Sequence, residues 1–363
     1  MKNINKFIYT LGIGSLLFTA CSDFEEVNTD PTATTIDQAR VEYAINSSIT
    51  GAQMNPDVAE RAFVLNWKTA GRQHFTSGLA VGSYNDDWIS AYYNKSADWQ
   101  KSATLAITLA DDKIGKGLSG HDAAMIPNMK QVARIWRAYL MSEFIDNFGA
   151  LPKDAFQGIN PEFNSTKDIY YFMLDELKEA VNSLDVSVTP DDGEKKYDRA
   201  YNFDLSKWVK FGNSMRMRLA MRLSEVDPSK AQSEFEDAVK GSYIASNSEN
   251  FTVAERPGWD DLTGVMSREW NSQQLSATLN NLMIGLGGIK TADQLTDPKY
   301  QPYIKPADYM GQRYEKHYSL YTNEPGSGFW FDGLRNMIDP RAYALFYLPG
   351  DVDNDNFCNY PSW

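Results

Sequence analysis

Cys21 is the residue whose setting most narrows the chemistry open to this chain. It is preceded by a basic start (Lys2, Lys6), an apolar run from Phe7 to Phe18, and the small residues Thr19 and Ala20. That charge–apolar–small order is the layout of a secretory signal. The apolar run is too short to cross a bilayer, which takes roughly 20 apolar residues. Phe18-Thr19-Ala20-Cys21 reads as a lipobox, with Phe18 standing where Leu is usual. In that reading cleavage leaves Cys21 as the new N-terminus, acylated with palmitate-type chains. Several chains on one residue anchor firmly, where a single chain binds a membrane only reversibly. The competing reading is an ordinary secreted protein that keeps a cysteine there. Ser22, Asp23, Glu25 and Glu26 follow at once, a short acidic run that looks like an export signal to the outer face of the outer membrane. The other cysteine is Cys358. Acylation of Cys21 therefore leaves no internal disulfide, and the fold must stand on its core.

Other side chains offer less. His74, His121 and His317 are scattered and show no metal-ligand spacing, so no metal and no cofactor is expected. Gly326-Ser327-Gly328 is not the Gly-x-Ser-x-Gly turn of a nucleophile elbow, and no phosphate-cradling glycine loop is present. The 48 acidic residues give many chance carboxylate pairs, so a glycosidase pair is neither indicated nor removed. Asp351-Val-Asp-Asn-Asp-Asn356 opens with the alternating oxygen ligands of a calcium loop. Ser362 stands at the closing acid and Asn356 at the turn glycine, so a solvated acidic tail accounts for the segment as well. A net charge of −13 argues against nucleic-acid binding, which requires a basic face. The chain carries 9 Trp, 20 Tyr and 18 Phe, which provides rings for a core and leaves open a surplus for a binding surface.

The elements that must position these groups are mostly helices. After a polar tether through Val27-Asn-Thr-Asp-Pro-Thr32, the apolar period is helical from Ile36 to about Gly241. Val132, Ile135, Trp136, Tyr139, Leu140, Phe144, Ile145 and Phe148 form one broad stripe. Gly149 suits the stop, and Pro152 prevents resumption. The next helix opens at Ser165 with Asp168 as a capping box and buries Ile169, Phe172, Met173, Leu177, Ala180, Val181 and Leu184. A third stripe is Trp208, Phe211, Met215, Leu219 and Leu223, interleaved with Arg216, Arg218 and Arg222. Asp227-Pro228 ends it and caps a helix over 231–240. Trp136 and Trp208 are assigned to the core. No strict 34-residue repeat of the tetratricopeptide kind is visible. Beyond Gly241 glycine, proline, asparagine and aromatics become frequent (Pro257-Gly258-Trp259, Gly285–Gly288, Pro325–Gly328), and long loops are expected, where function tends to reside. The division is signal 1–20, tether 21–35, helical scaffold 36–250 and loop-rich region 251–363.

Four segments in this order resemble the SusD/RagB family of nutrient-binding outer-membrane lipoproteins. They are Cys21–Pro31 with its Asn-Thr-Asp-Pro; Arg134–Pro152, an aromatic helix ending Phe-Gly-Ala-Leu-Pro; Ile169–Leu184; and Trp208–Leu223. Asp339-Pro340-Arg341 is similar to a later family tripeptide. Members of the family continue well past it, whereas this chain ends at Trp363, so a shortened late region or a truncated chain is expected.

The resemblance implies a mainly α fold with tetratricopeptide-like hairpins carrying a loop-rich ligand-binding region. It also implies a partner, a SusC-like TonB-dependent outer-membrane transporter that the lipoprotein caps, and a glycan or peptide ligand. Sugar rings stack their C–H faces on aromatic planes, so candidate contacts are rings in loop stretches: Phe75, Tyr84, Trp88, Trp259 and Trp330. Core packing and ligand contact both account for each. No catalytic residue is assigned. The rivals to a binding protein are a surface enzyme, such as a glycoside hydrolase or lyase, and a purely structural lid.

Overall fold

The computed structural model describes residues 38–53 and 86–254 continuously, and isolated positions and short stretches among 58–75, 274–299 and 337–341. The chain divides into two compact units. One joins Met1–Gln53 to Tyr93–Ala254, and the other joins Met54–Tyr92 to Glu255–Trp363.

The described part is mainly helical. Helix α1 is Val41–Gly51, α2 Asp86–Lys116, α3 Gly120–Phe148, α4 Thr166–Ser183, α5 the single turn Asp192–Lys195, α6 Leu205–Arg222 and α7 Pro228–Ala238. Four two-residue strands are described as well. In the second unit His74–Phe75 (β1) pairs antiparallel with Gln274–Leu275 (β2), and Ile289–Lys290 (β3) with Met337–Ile338 (β4).

Helix α3 is the axis of the first unit. Its partners are α1, α4 and α6, and α4 and α6 also pack on each other. Its burial is wider than one stripe: Met129, Val132, Ala133, Ile135, Trp136, Ala138, Leu140, Met141, Ser142, Phe144 and Ile145 are all buried. A helix apolar nearly all round is a central helix. Tyr139 and Phe148 lie at its margin, half-buried. The helix begins well before Val132 and runs through Pro127. Proline removes one ladder donor there, and the Asn128 amide Nδ2 donates to the Ala124 carbonyl at 2.9 Å in the same turn. Gly149 stops the helix as expected. It takes φ +81° and donates its N–H to Ile145 O at 3.0 Å.

Helix starts are capped by side chains. The Ser165 hydroxyl oxygen accepts the Asp168 N–H at 3.2 Å, and the Asp168 carboxylate answers by accepting the Ser165 hydroxyl at 2.7 Å. Asp204 accepts from Ser206 and Lys207, and Asp227 from Lys230, with Pro228 in the first turn. Such caps stabilise by about 1 kcal/mol each. On α4 the buried side chains are Ile169, Tyr170, Met173, Leu174, Leu177, Ala180 and Val181. Phe172 is only half-buried and lies under the Arg137 guanidinium, 5.7 Å from its ring centre.

Between α5 and α6 the chain folds around one carboxylate. Asp198 is fully buried. Its oxygens accept backbone N–H groups from Ala200 (3.0 Å), Tyr201 (3.1 Å) and Phe203 (2.8 Å), and the Trp208 indole N–H at 2.7 Å. Asn202 and Phe203 take φ near +55° to close the loop, a conformation that costs a non-glycine residue about 1–3 kcal/mol unless the surroundings enforce it. Burial pushes the Asp198 carboxyl up, against the pull of its four donors.

Two predictions follow from this packing. Asp198→Asn replaces an acceptor-only group with one that presents donors to a ring of donors. It should lower stability by about 2–4 kcal/mol, seen as an earlier midpoint in denaturant; an unchanged midpoint rejects this account of the loop. At Gly212 on α6 an added methyl would lie 2.4 Å from Val181 Cγ2 of α4. Helix propensity alone favours Gly→Ala by about 1 kcal/mol, while overpacking costs about 1–3 kcal/mol. Gly212→Ala should therefore destabilise in thermal unfolding, and Val181→Ala in the same chain should recover part of the loss.

Candidate functional site

The sequence candidates fall where side chains are not described. Cys21, Tyr84, Trp259 and Trp330 lie outside the described residues, as does the acidic segment 351–356. Phe75 is in β1, opposite Gln274, and Trp88 is in the first turn of α2. Trp136 and Trp208 are core residues, 3% and 0% exposed. The Trp136 indole donates to the Ser48 hydroxyl at 2.9 Å, and that hydroxyl donates to the Trp99 carbonyl at 2.7 Å. Tyr139, Phe211 and Phe251 pack about these rings, Phe251 stacking on Trp136 with centres 5.2 Å apart. Trp136, Trp208 and Phe211 are closed inside the helical core, with Tyr139 and Phe251 half-buried at its edge.

Carboxylates and arginines in the first unit are matched to each other across helix interfaces. Arg134 of α3 grips Glu176 of α4 through Nε (3.2 Å) and Nη2 (2.6 Å), and Arg137 adds 2.8 Å to the same carboxylate. Burial alone would raise the Glu176 carboxyl; the two guanidinium groups hold it below the usual range. Buried Arg216 of α6 reaches Glu234 at 2.6 Å and Asp237 at 2.9 Å on α7. Lys178 and Arg216 hold Asp237 down at about 2. At the end of α3, Glu143 and Asp146 form a carboxylate pair. Burial pushes the Glu143 carboxyl up, but Arg218 and Arg222 of α6 pair with the two acids, and the Tyr170 hydroxyl donates to Asp146 at 2.5 Å. An acid pair neutralised in this way joins helices.

Three surface features remain. A polar groove of about 460 Å³ runs between α4 and α7 along Lys178, Ser233, Glu236 and Lys240. The loop after α3, closed by a bridge between Leu151 and Asn164, exposes Phe156 (43%), Ile159 (63%) and Phe163 (65%). Finally, His121 of α3 meets Asp191 and Glu194 at the start of α5, all three donor atoms lying within 4.8 Å of one another. Spacing along the chain hid this trio, because His121 is 73 residues from Glu194; the one local signal is Asp191-x-x-Glu194, the pattern of a capping box. Among the described residues no helix is long and apolar enough to cross a membrane.

The Asp-Pro-Arg tripeptide is a self-contained turn. Asp339 accepts from Arg341 N (2.9 Å), Nε (3.0 Å) and Nη2 (2.6 Å), which hold its carboxyl down at about 2, and it donates its own N–H to the Met283 carbonyl at 2.7 Å. It follows β4 directly and terminates that strand pair.

This helical framework is matched by known structures. A SusD homologue from Parabacteroides distasonis is 25% identical, with a TM-score of 0.58 over 69% of this chain and 50% of its own. A chitin-binding SusD homologue from Flavobacterium johnsoniae is 21% identical, with a TM-score of 0.52 over 74% and 56%. A further chitin-binding protein is 22% identical, with a TM-score of 0.51 over 58% and 45%. The chain spans about half the length of these proteins. No curated protein matches it significantly. The SusD-like family, described as SusD and RagB outer-membrane lipoproteins, matches residues 43–322. With most of its length inside that match and its helices on the same framework, the chain belongs to the SusD-like family.

Proposed function

We propose that this protein is an outer-membrane lipoprotein, anchored through acylated Cys21 and exposed at the cell surface. It binds a nutrient glycan, or else a peptide, and passes it to a SusC-like TonB-dependent transporter without chemical conversion. The family match over residues 43–322 carries this reading. The lipobox supports the anchor, and the net charge of −13 fits a partner other than nucleic acid.

The helical scaffold is assigned to the first unit and ligand binding to the second, so that residues 54–92 join the loop-rich region after residue 251. Phe75, Tyr84, Trp88, Trp259 and Trp330 all fall within the second unit's sequence ranges. They are proposed as the rings on which the ligand stacks, with amides and carboxylates bonding its hydroxyls. Two of the matched structures are of chitin-binding proteins, so chitin oligosaccharides head the ligand panel.

Two experiments test the reading. In the first, the purified chain is run through gels containing chitin oligosaccharides, other glycans or peptides, and the free ligand is assayed for breakdown. Retardation without product is expected. Trp259→Ala and Trp330→Ala should each weaken retention about tenfold or more, as removal of a central aromatic anchor does. Product release identifies an enzyme instead, and unchanged retention in correctly folded variants removes those two rings from the site. In the second, Cys21→Ser should move the protein from the membrane fraction to the soluble fraction. A variant still held in the membrane overturns the lipid anchor.

A further inference from the structure

We propose that His121, Asp191 and Glu194 form a binding site for a divalent transition-metal ion of the zinc type. His121 Nε2 lies 2.9 Å from Glu194 Oε2 and 3.7 Å from Asp191 Oδ2. In a tetrahedral zinc site with bonds of about 2.0–2.2 Å, neighbouring ligand atoms sit roughly 3.3–3.6 Å apart. Two of the three separations lie near metal spacing and the third, between the Asp191 and Glu194 oxygens, is within 4.8 Å, so a rotation of the Asp191 side chain completes the site. Asp191 is exposed, while Glu194 is buried.

The carboxylates are already oriented. Glu194 accepts the Asp191 N–H at 2.8 Å, and the Asp191 side chain accepts the Glu194 N–H in the reciprocal capping box. The Glu194 oxygen nearest His121 is the one that accepts the Asp191 N–H, and that amide fixes its position. The donor set also discriminates. One imidazole with two carboxylates suits zinc and its neighbours, whereas hard cations prefer all-oxygen shells and copper(I) prefers thiolates. Three protein ligands leave a fourth position for water. The ion would clip the start of α3 to the turn at α5, joining segments 70 residues apart, in the first unit and not among the proposed ligand-stacking rings.

Proton and metal compete for the imidazole. Binding therefore displaces the imidazole proton, and metal affinity falls as the solution is made acid.

Isothermal titration of the purified chain with Zn2+ alone, and with Co2+ for its visible absorption, tests the site. One ion per chain is expected, with micromolar affinity near neutral pH, a tetrahedral Co2+ spectrum, and a rise in melting temperature that grows with free metal. His121→Ala should weaken binding at least tenfold. Asp191→Asn, which keeps a capping oxygen on an exposed side chain and leaves the fold intact, should weaken it several-fold. The proposal is overturned by the absence of saturable binding, or by unchanged affinity in His121→Ala, which would move the ion to His74, His317 or a cysteine.

Discussion

A carboxylate removed from water costs several kcal/mol unless its lone pairs are engaged, and Asp198 engages them with three amides and an indole. The arrangement dictates what surrounds it. Three N–H groups within six residues can converge on one side chain only if the chain reverses sharply, and the reversal is made by Asn202 and Phe203 in the left-handed region. Phe203 is thereby turned fully inward. The fourth donor belongs to Trp208, so the same carboxylate sets the rotation of the first turn of α6. Trp208 then meets Tyr201, Phe211 and Phe251 edge-on, and Phe251 stacks on Trp136 of α3. The position of α6 against α3 thus rests on a buried charge as much as on apolar fit.

Register between the other helices uses the same means. Arg134 and Arg137 lock α3 to α4 through Glu176, and Arg216 locks α6 to α7 through Glu234 and Asp237. Replacing such a pair wholesale with apolar side chains is often neutral for stability, while removing one partner leaves a buried charge uncompensated. Their contribution is therefore directional: of the sliding or rotated packings open to apolar stripes of similar width, one brings these ions into contact, with Arg137 Nε and Arg216 Nε still buried without a partner. Gly212 adds the steric counterpart, since α4 and α6 approach closely enough that Val181 occupies the space of a side chain there.

How much of this was legible in the amino-acid order depended on the range of the interaction. Stripes, caps and stops are local, and so Val132–Phe148, the Ser165 and Asp227 caps and the Gly149 stop could be read directly, while the last helix begins at Pro228 and ends at Ala238, earlier than the expected 231–240. Pro127 ordinarily argues against a helix interior, yet α3 runs through it, because the burial of Met125, Ile126, Asn128 and Met129 around it outweighs one lost ladder bond. Asp198 is one acid among 48, and the arginines interleaved with the α6 stripe show no partner in the local sequence, because their partners lie on other helices. Among ligand-stacking candidates nothing local separates a core ring from a binding ring. Trp136 and Trp208 were assignable because they sit on periodic stripes, whereas Trp88, Trp259 and Trp330 sit in none.

The distribution of tryptophan bears on where a ligand is held. Of the nine in the chain, Trp99, Trp136 and Trp208 belong to the first unit, and the other six (Trp67, Trp88, Trp259, Trp270, Trp330, Trp363) fall in the sequence ranges of the second. The second unit is the smaller one, with 39 residues in 54–92 and 109 in 255–363 against 215 in the first. In the first unit Trp136 and Trp208 are buried, Trp99 is half-buried, and the rings around them are spent on one another. Of the six, Trp67 packs edge-on against buried Tyr92, with centres 5.4 Å apart, and three of the others are among the rings proposed to stack the ligand. Indole is a costly side chain to leave at a surface unless something apolar covers it. A pyranose face meets that requirement, which is the physical reason for proposing ligand stacking at the second unit.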